Sequence, residues 1–128
     1  MFKLIYRDGA PENTGHYEGI PTDSTTLKVG QAVHLASGKA VLANGDAKIY
    51  GVVAGDAANG IVKVLKITPD MIFETITTVA PAAKGVTVTI SAGEKVTATA
   101  PASGKFGATI VDNRDAAAGG LVEVCFEN

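Results

Sequence analysis

Few side chains in this sequence have the chemistry for catalysis or metal binding, and their spacing decides what they can do. His16 and His34 are the only histidines, and no H-x-H or H-E-x-x-H spacing joins them. Cys125 is the only cysteine, so a thiolate zinc site and an internal disulfide both lie beyond one chain. Cys125 lies between Val124 and Phe126 in an apolar run and reads as a structural thiol. Asp112 and Asp115 flank Arg114 and form the densest acidic cluster, but without EF-hand spacing. There is no G-x-S-x-G elbow, and "GVVAGDAANG" lacks the Gly-Lys-Ser/Thr end of a phosphate loop. Lys39, in "SGKAV", stands on a hairpin turn as the modified lysine of lipoyl and biotin carriers does, although Gly38 and Ala40 replace the usual acidic or Met neighbours. These residues predict no catalytic, cofactor or metal site, and a chain that is not an enzyme.

The elements that would position such groups are short strands. The 128 residues suffice for one domain, with 19% charged residues and a formal net charge of −2. No basic excess is available for a phosphate backbone, and 5% aromatics without Trp make no stacking platform, so nucleic acid is not an expected partner. No apolar run is long enough to cross a membrane as a helix, and the first residues show no signal peptide, so synthesis in the cytoplasm is expected. Strands are predicted over 32–35, 40–43, 49–54, 61–67, 71–78, 86–90, 95–100, 107–111 and 121–127, separated by Gly-containing turns. That spacing predicts an all-β domain, a small barrel or sandwich, over residues 28–128. "DNRDAAAGG" reads as one helical turn or a loop.

Residues 1–27 read differently, with two Pro, two of the three Tyr and little periodicity. Phe2, Leu4 and Tyr6 alternate as in a short strand, and the whole segment is expected to be an extended arm. Its large apolar residues, Phe2, Leu4, Tyr6, Tyr17 and Ile20, are the expected contacts to a partner or a second copy.

The body reads as two related segments, over about 29–57 and 85–113. Val33 pairs with Val88, Leu35 with Ile90, Gly38 with Gly93 and Val41 with Val96, then Gly51 with Gly107 and Asp56 with Asp112. Two related halves filling one core explain this, as does the general likeness of hairpins built from small residues.

"PTDSTTLKVGQAVHLASGKAVLA", "IYGVVAGDAANG" and "GATIVDNRDAAAGGLVEVCFEN" together span most of the chain after Pro21. On these stretches the chain resembles the decoration, or cement, proteins on the heads of tailed bacteriophages. The resemblance implies a compact, β-tulip-like domain, often trimeric, on the outer capsid surface, with an N-terminal segment touching the major capsid protein. The expected function is a structural virion protein that stabilises the assembled shell. Another virion β module (a head-fibre base or tail protein) and a small carrier or enzyme-associated β domain are the alternatives.

Overall fold

The computed structural model describes residues 1–7, 16–45, 47–113 and 119–126, with the backbone alone at 6 and 7. Among these there is no helix. The strands are β1 (Lys3–Arg7), β2 (His16–Pro21), β3 (Ala32–Ala36), β4 (Lys39–Leu42), β5 (Gly51–Ala58) and β6 (Ile61–Lys66). They continue with β7 (Met71–Ile76), β8 (Thr87–Ser91), β9 (Lys95–Val96), β10 (Gly107–Asn113) and β11 (Leu121–Phe126). All ladders between strands are antiparallel, in two sheets ordered β2-β6-β5-β3-β4 and β1-β7-β11-β10-β8-β9.

Apart from β1, the two orders are one order written twice: β2 corresponds to β7, β3 to β8, β4 to β9, β5 to β10 and β6 to β11. The registers agree residue by residue. Ile20 faces Val62 and Glu18 faces Val64, as Thr75 faces Val122 and Phe73 faces Val124. Val53 faces Val64 as Ile110 faces Val124, and Val33 faces Gly51 as Val88 faces Ala108.

The connections repeat too. Thr22 and Thr77 are buried; each backbone N–H donates across the sheet, to Gly60 and Gly120, and each hydroxyl accepts from the N–H two residues on. Gly30 and Gly85 then turn the chain into β3 and β8 with φ of 91° and 87°. Glycine suits that left-handed backbone because it has no Cβ to clash. Their N–H groups donate to Val53 and Ile110. The duplication thus runs from β2 to β11, beyond the two hairpin segments.

Three pairings read from the sequence are corrected. The β8–β9 turn holds Ala92, Gly93 and Glu94 where the β3–β4 turn holds Ser37 and Gly38, so Val96 matches Ala40 and not Val41. Gly51 matches Ala108 and not Gly107, by its register against β3 and β8. Asp112, opposite Glu123, matches Gly55, opposite Lys63, and not Asp56.

The expected barrel is also corrected: each sheet curls, but neither closes. The Thr22 hydroxyl at the end of β2 donates to Ala40 O on β4 at 2.8 Å, and Thr77 makes a single parallel bridge to Val96 on β9. β4 has four residues and β9 two, too few to run a ladder along the opposite edge.

The units pack head to tail. Inside the first curl lie Ile20, Val33, Ala40, Val53, Val62 and Val64, covered by Leu27 from the crossing loop. Its outer face (Ala32, Val52 and Leu65) joins the interior of the second curl (Val88, Ile90, Val96, Ile110, Val122 and Val124) in a separate core. The first sheet is therefore buried on both faces at its centre, where β3, β5 and β6 carry the adjacent buried pairs Ala32–Val33, Val52–Val53 and Val64–Leu65. Among the described residues, the second sheet has no such neighbour on its outer face. Where the first unit has Ala32, Val52 and Leu65, the second has Thr87, Thr109 and Cys125, and the Thr87 and Thr109 hydroxyls bond each other at 3.0 Å.

The segment expected as an arm contributes a strand to each sheet. β1 lies antiparallel on β7, and Phe2 packs edge-on against Phe126 with ring centroids 5.0 Å apart. β2 pairs with β6 along its whole length. Alternating Phe2 and Leu4 reach the core because one face of an edge strand always points inward.

Candidate binding surface at the open end of the first unit

At one end of each curl the inward positions form a mouth. In the second unit these are Met71, Phe73, Ile90 and Phe126, all at most 5% exposed, with Phe2, just before β1, and Leu4 of β1 in the same cluster. The matching positions of the first unit are His16, Glu18, Leu35 and Lys66. His16, Leu35 and Lys66 are exposed and Glu18 is half-buried, so this mouth is open where its duplicate is filled.

The open mouth is organised around Glu18. Its carboxylate accepts a hydrogen bond from the Tyr50 hydroxyl, and His16 Nε2 lies 3.8 Å from the same oxygen. Lys66 Nζ sits 5.7 Å from the centre of the Tyr50 ring, within cation–π range. Beside them is a pocket of about 400 Å³ lined by Leu35, Lys48, Ile49, Tyr50, Lys66 and Ile67. Tyr50 can stand here because it packs on the first core and turns its hydroxyl to the rim. The arrangement offers one oriented carboxylate, two cations and an aromatic–aliphatic floor, a surface suited to gripping a polypeptide.

The hydrogen bond to Glu18, burial and the Glu18 charge all raise the Tyr50 pKa above the ordinary tyrosine value. The fold therefore favours the protonated phenol. That contribution is complete below the unfolded tyrosine pKa of about 10 and is lost as pH rises through the higher folded value. In an absorbance titration at 295 nm, Tyr50→Phe should remove a transition lying above the ordinary tyrosine value, and Glu18→Gln should bring that transition down. A high-pH limb of the curve unchanged in both variants would show that the bond is absent in solution.

The expected contact residues are distributed unevenly. Phe2, Leu4 and Ile20 are 3%, 9% and 7% exposed and belong to the chain's own cores. Tyr6 faces Ile72 in the β1–β7 ladder, and its side chain lies outside the described residues. Tyr17 is 39% exposed, with Lys63 Nζ 5.0 Å from its ring centre, and borders a seam of about 350 Å³ between β1 and the outer face of the first unit.

The other groups with chemical potential lie apart. His34 is half-buried, and its Nδ1 has no hydrogen-bond partner among the described residues. Lys39 is exposed and paired with Asp23, 3.0 Å from one carboxylate oxygen and 3.1 Å from the other. Cys125 is half-buried opposite Thr109, and exposed Asp112 faces Glu123. "GVVAGDAANG" is β5 with its Asn59-Gly60 turn. Arg114 and Asp115, with most of the expected helical turn, lie outside the described residues. Among the described residues no group of three His, Cys, Asp or Glu side chains could hold a metal ion, and no helix is long and apolar enough to cross a membrane.

Reading the sequence missed the cluster of His16, Glu18, Tyr50 and Lys66, whose members meet only across three strands. The signal that finds it is comparison of the two units, since polar residues stand where the duplicate is apolar. Comparison with protein-family models, with curated proteins and with solved structures gives no significant match.

Proposed function

We propose that the chain is a structural virion protein that binds the outer surface of an assembled tailed-phage capsid and stabilises the shell without a chemical step. Its partners are the major capsid protein and further copies of itself, as a homotrimer on the capsid, and its curled sheets are a β-tulip-like arrangement. The observation that carries this reading is the doubled β unit packed through a shared core. The solvent-facing rims of this body bear Tyr17, Val29, Ile61, Val79 and Leu121 as exposed apolar points. The three stretches that resemble decoration proteins form its repeated elements: the first crossing loop with β3 and β4, then β5 with its turn, and finally β10 and β11. A ligand that binds only the assembled shell stabilises it by mass action, so a few kcal/mol per site suffice over many sites.

The test is cosedimentation with immature and mature heads, followed by DNA release on heating with and without added protein. Saturating protein should raise the release temperature. Tyr17→Ala should weaken attachment about 30-fold if its ring is desolvated in the contact, worth about 2 kcal/mol. Asp112→Asn should leave attachment unchanged. An unaltered release temperature at saturation would end the stabilising role, and absence from the pellet would end the capsid reading.

A further inference from the structure

The duplication gives the open mouth a template for its own occupant. In the second unit, β7 pairs with β11 on one side and receives β1 on the other. In the first unit, β2 pairs with β6 and is the edge of its sheet, so no described strand takes the place of β1. The outward backbone groups can be read from the ladder. The Thr22 N–H donates inward to Gly60 O, so by antiparallel alternation Ile20, Glu18 and His16 also bond inward, while Tyr17 and Gly19 face out. Their counterparts, Ile72 and Glu74, are the residues of β7 that face Tyr6 and Lys3 of β1. Pro21, which has no N–H to offer, closes the available edge.

The side chains indicate the chemistry. Leu4 enters the second mouth opposite Phe73. The first unit has Glu18 in the position of Phe73, its side chain 29% exposed and its carboxylate oriented by Tyr50. Lys66 and Lys48 lie across Tyr50, on the pocket side, and His16 is two residues along β2. We propose that the β2 edge receives an extended segment of a partner protein as an added antiparallel strand, with Lys or Arg opposite Glu18. Backbone bonds to Tyr17 and Gly19 supply the pairing, and the cation opposite Glu18 supplies the selectivity. This site stands on the internal duplication and holds whether or not the partner is a capsid protein.

The probes are three synthetic heptapeptides with the sequence of Met1–Arg7, bearing Leu, Lys or Glu at the fourth position. Each is titrated into the full-length, ¹⁵N-labelled protein. The Lys peptide should shift the Tyr17 and Gly19 amide signals, slow their hydrogen exchange, and bind about tenfold more tightly than the Glu peptide. Glu18→Lys should reverse that order. Glu18→Gln, the milder change should the reversal disturb folding, should erase the difference. The proposal is overturned if millimolar Lys peptide leaves the Tyr17 and Gly19 amides unmoved, if the shifts fall on β7 instead, or if all three peptides bind alike.

Discussion

A chain lacking Met1–Ile20 is expected to lose its cooperative thermal transition altogether, and not only its attachment to a partner. The deletion removes β1 and nearly all of β2, one strand from each sheet. It also removes Phe2, Leu4 and Ile20, which are 3%, 9% and 7% exposed. Each such side chain contributes on the order of 1.5–3 kcal/mol by burial, against a net stability of about 5–15 kcal/mol for a whole domain. The loss does not stop there. Without Phe2 the Phe73–Phe126 cluster at the second mouth opens to water, and without β2 the partners of Val62 and Val64 in the first core are gone. Far-UV circular dichroism and one-dimensional NMR settle it. A truncated chain with a cooperative transition and dispersed methyl signals would show that residues 1–20 are dispensable to the fold, as an arm would be. Phe2→Ala is the graded version, with an expected loss of about 3–5 kcal/mol.

That result turns on why the first strands were hard to read. β3 to β8, β10 and β11 are legible because small apolar and β-branched residues recur between Gly-centred turns, and their pattern reports a buried face directly. β2 is "HYEGIP", in which only Ile20 of the inward set is apolar. His16 and Glu18 point the same way as Ile20, but at the open mouth, where no core requires an apolar residue. The polar pattern that hid the strand is therefore the same feature that forms the candidate site. β9 is shorter than the predicted 95–100, a segment that alternates well; its regular ladder with β8 covers only Lys95 and Val96, and beyond it Thr97 and Thr99 hold the chain to β8 through backbone bonds to Thr89 alone. The Glu18–Tyr50 bond had no sequence signal, because the two residues meet only when β2, β6 and β5 are side by side. The slipped repeat pairings have a simple cause. One extra turn residue, Glu94, shifts every later match, and single apolar identities between hairpins are too common to detect a slip of one.

Gly107→Ala should be the most damaging single methyl addition on the β10–β8 ladder. An added Cβ would lie 2.1 Å from Val88 O, 2.8 Å from Pro101 Cγ and 3.0 Å from the Val88 carbonyl carbon. No rotamer relieves a contact with backbone, so β10 must move away from β8, where Gly107 faces Thr89 and Ala108 faces Val88. Val88 and Ala108 are fully buried and Ile110 is 1% exposed, so the separation opens the shared core and not a loop. The expected cost is about 3 kcal/mol or more, a fall in Tm of roughly 10 °C. Gly104→Asn is the matched control. Gly104 has φ of +78° with nothing within 4 Å of an added Cβ, and Asn tolerates that backbone, so the loss should stay within about 1 kcal/mol. Equal losses in the two variants would mean that the close approach of β8 to β10 is not what requires glycine. Gly51 extends the test to the other unit, since its added Cβ would lie 2.4 Å from Leu65 O. A comparable loss from Gly51→Ala would show that both β units depend on a glycine where a strand enters its sheet, each for close approach to a different neighbour.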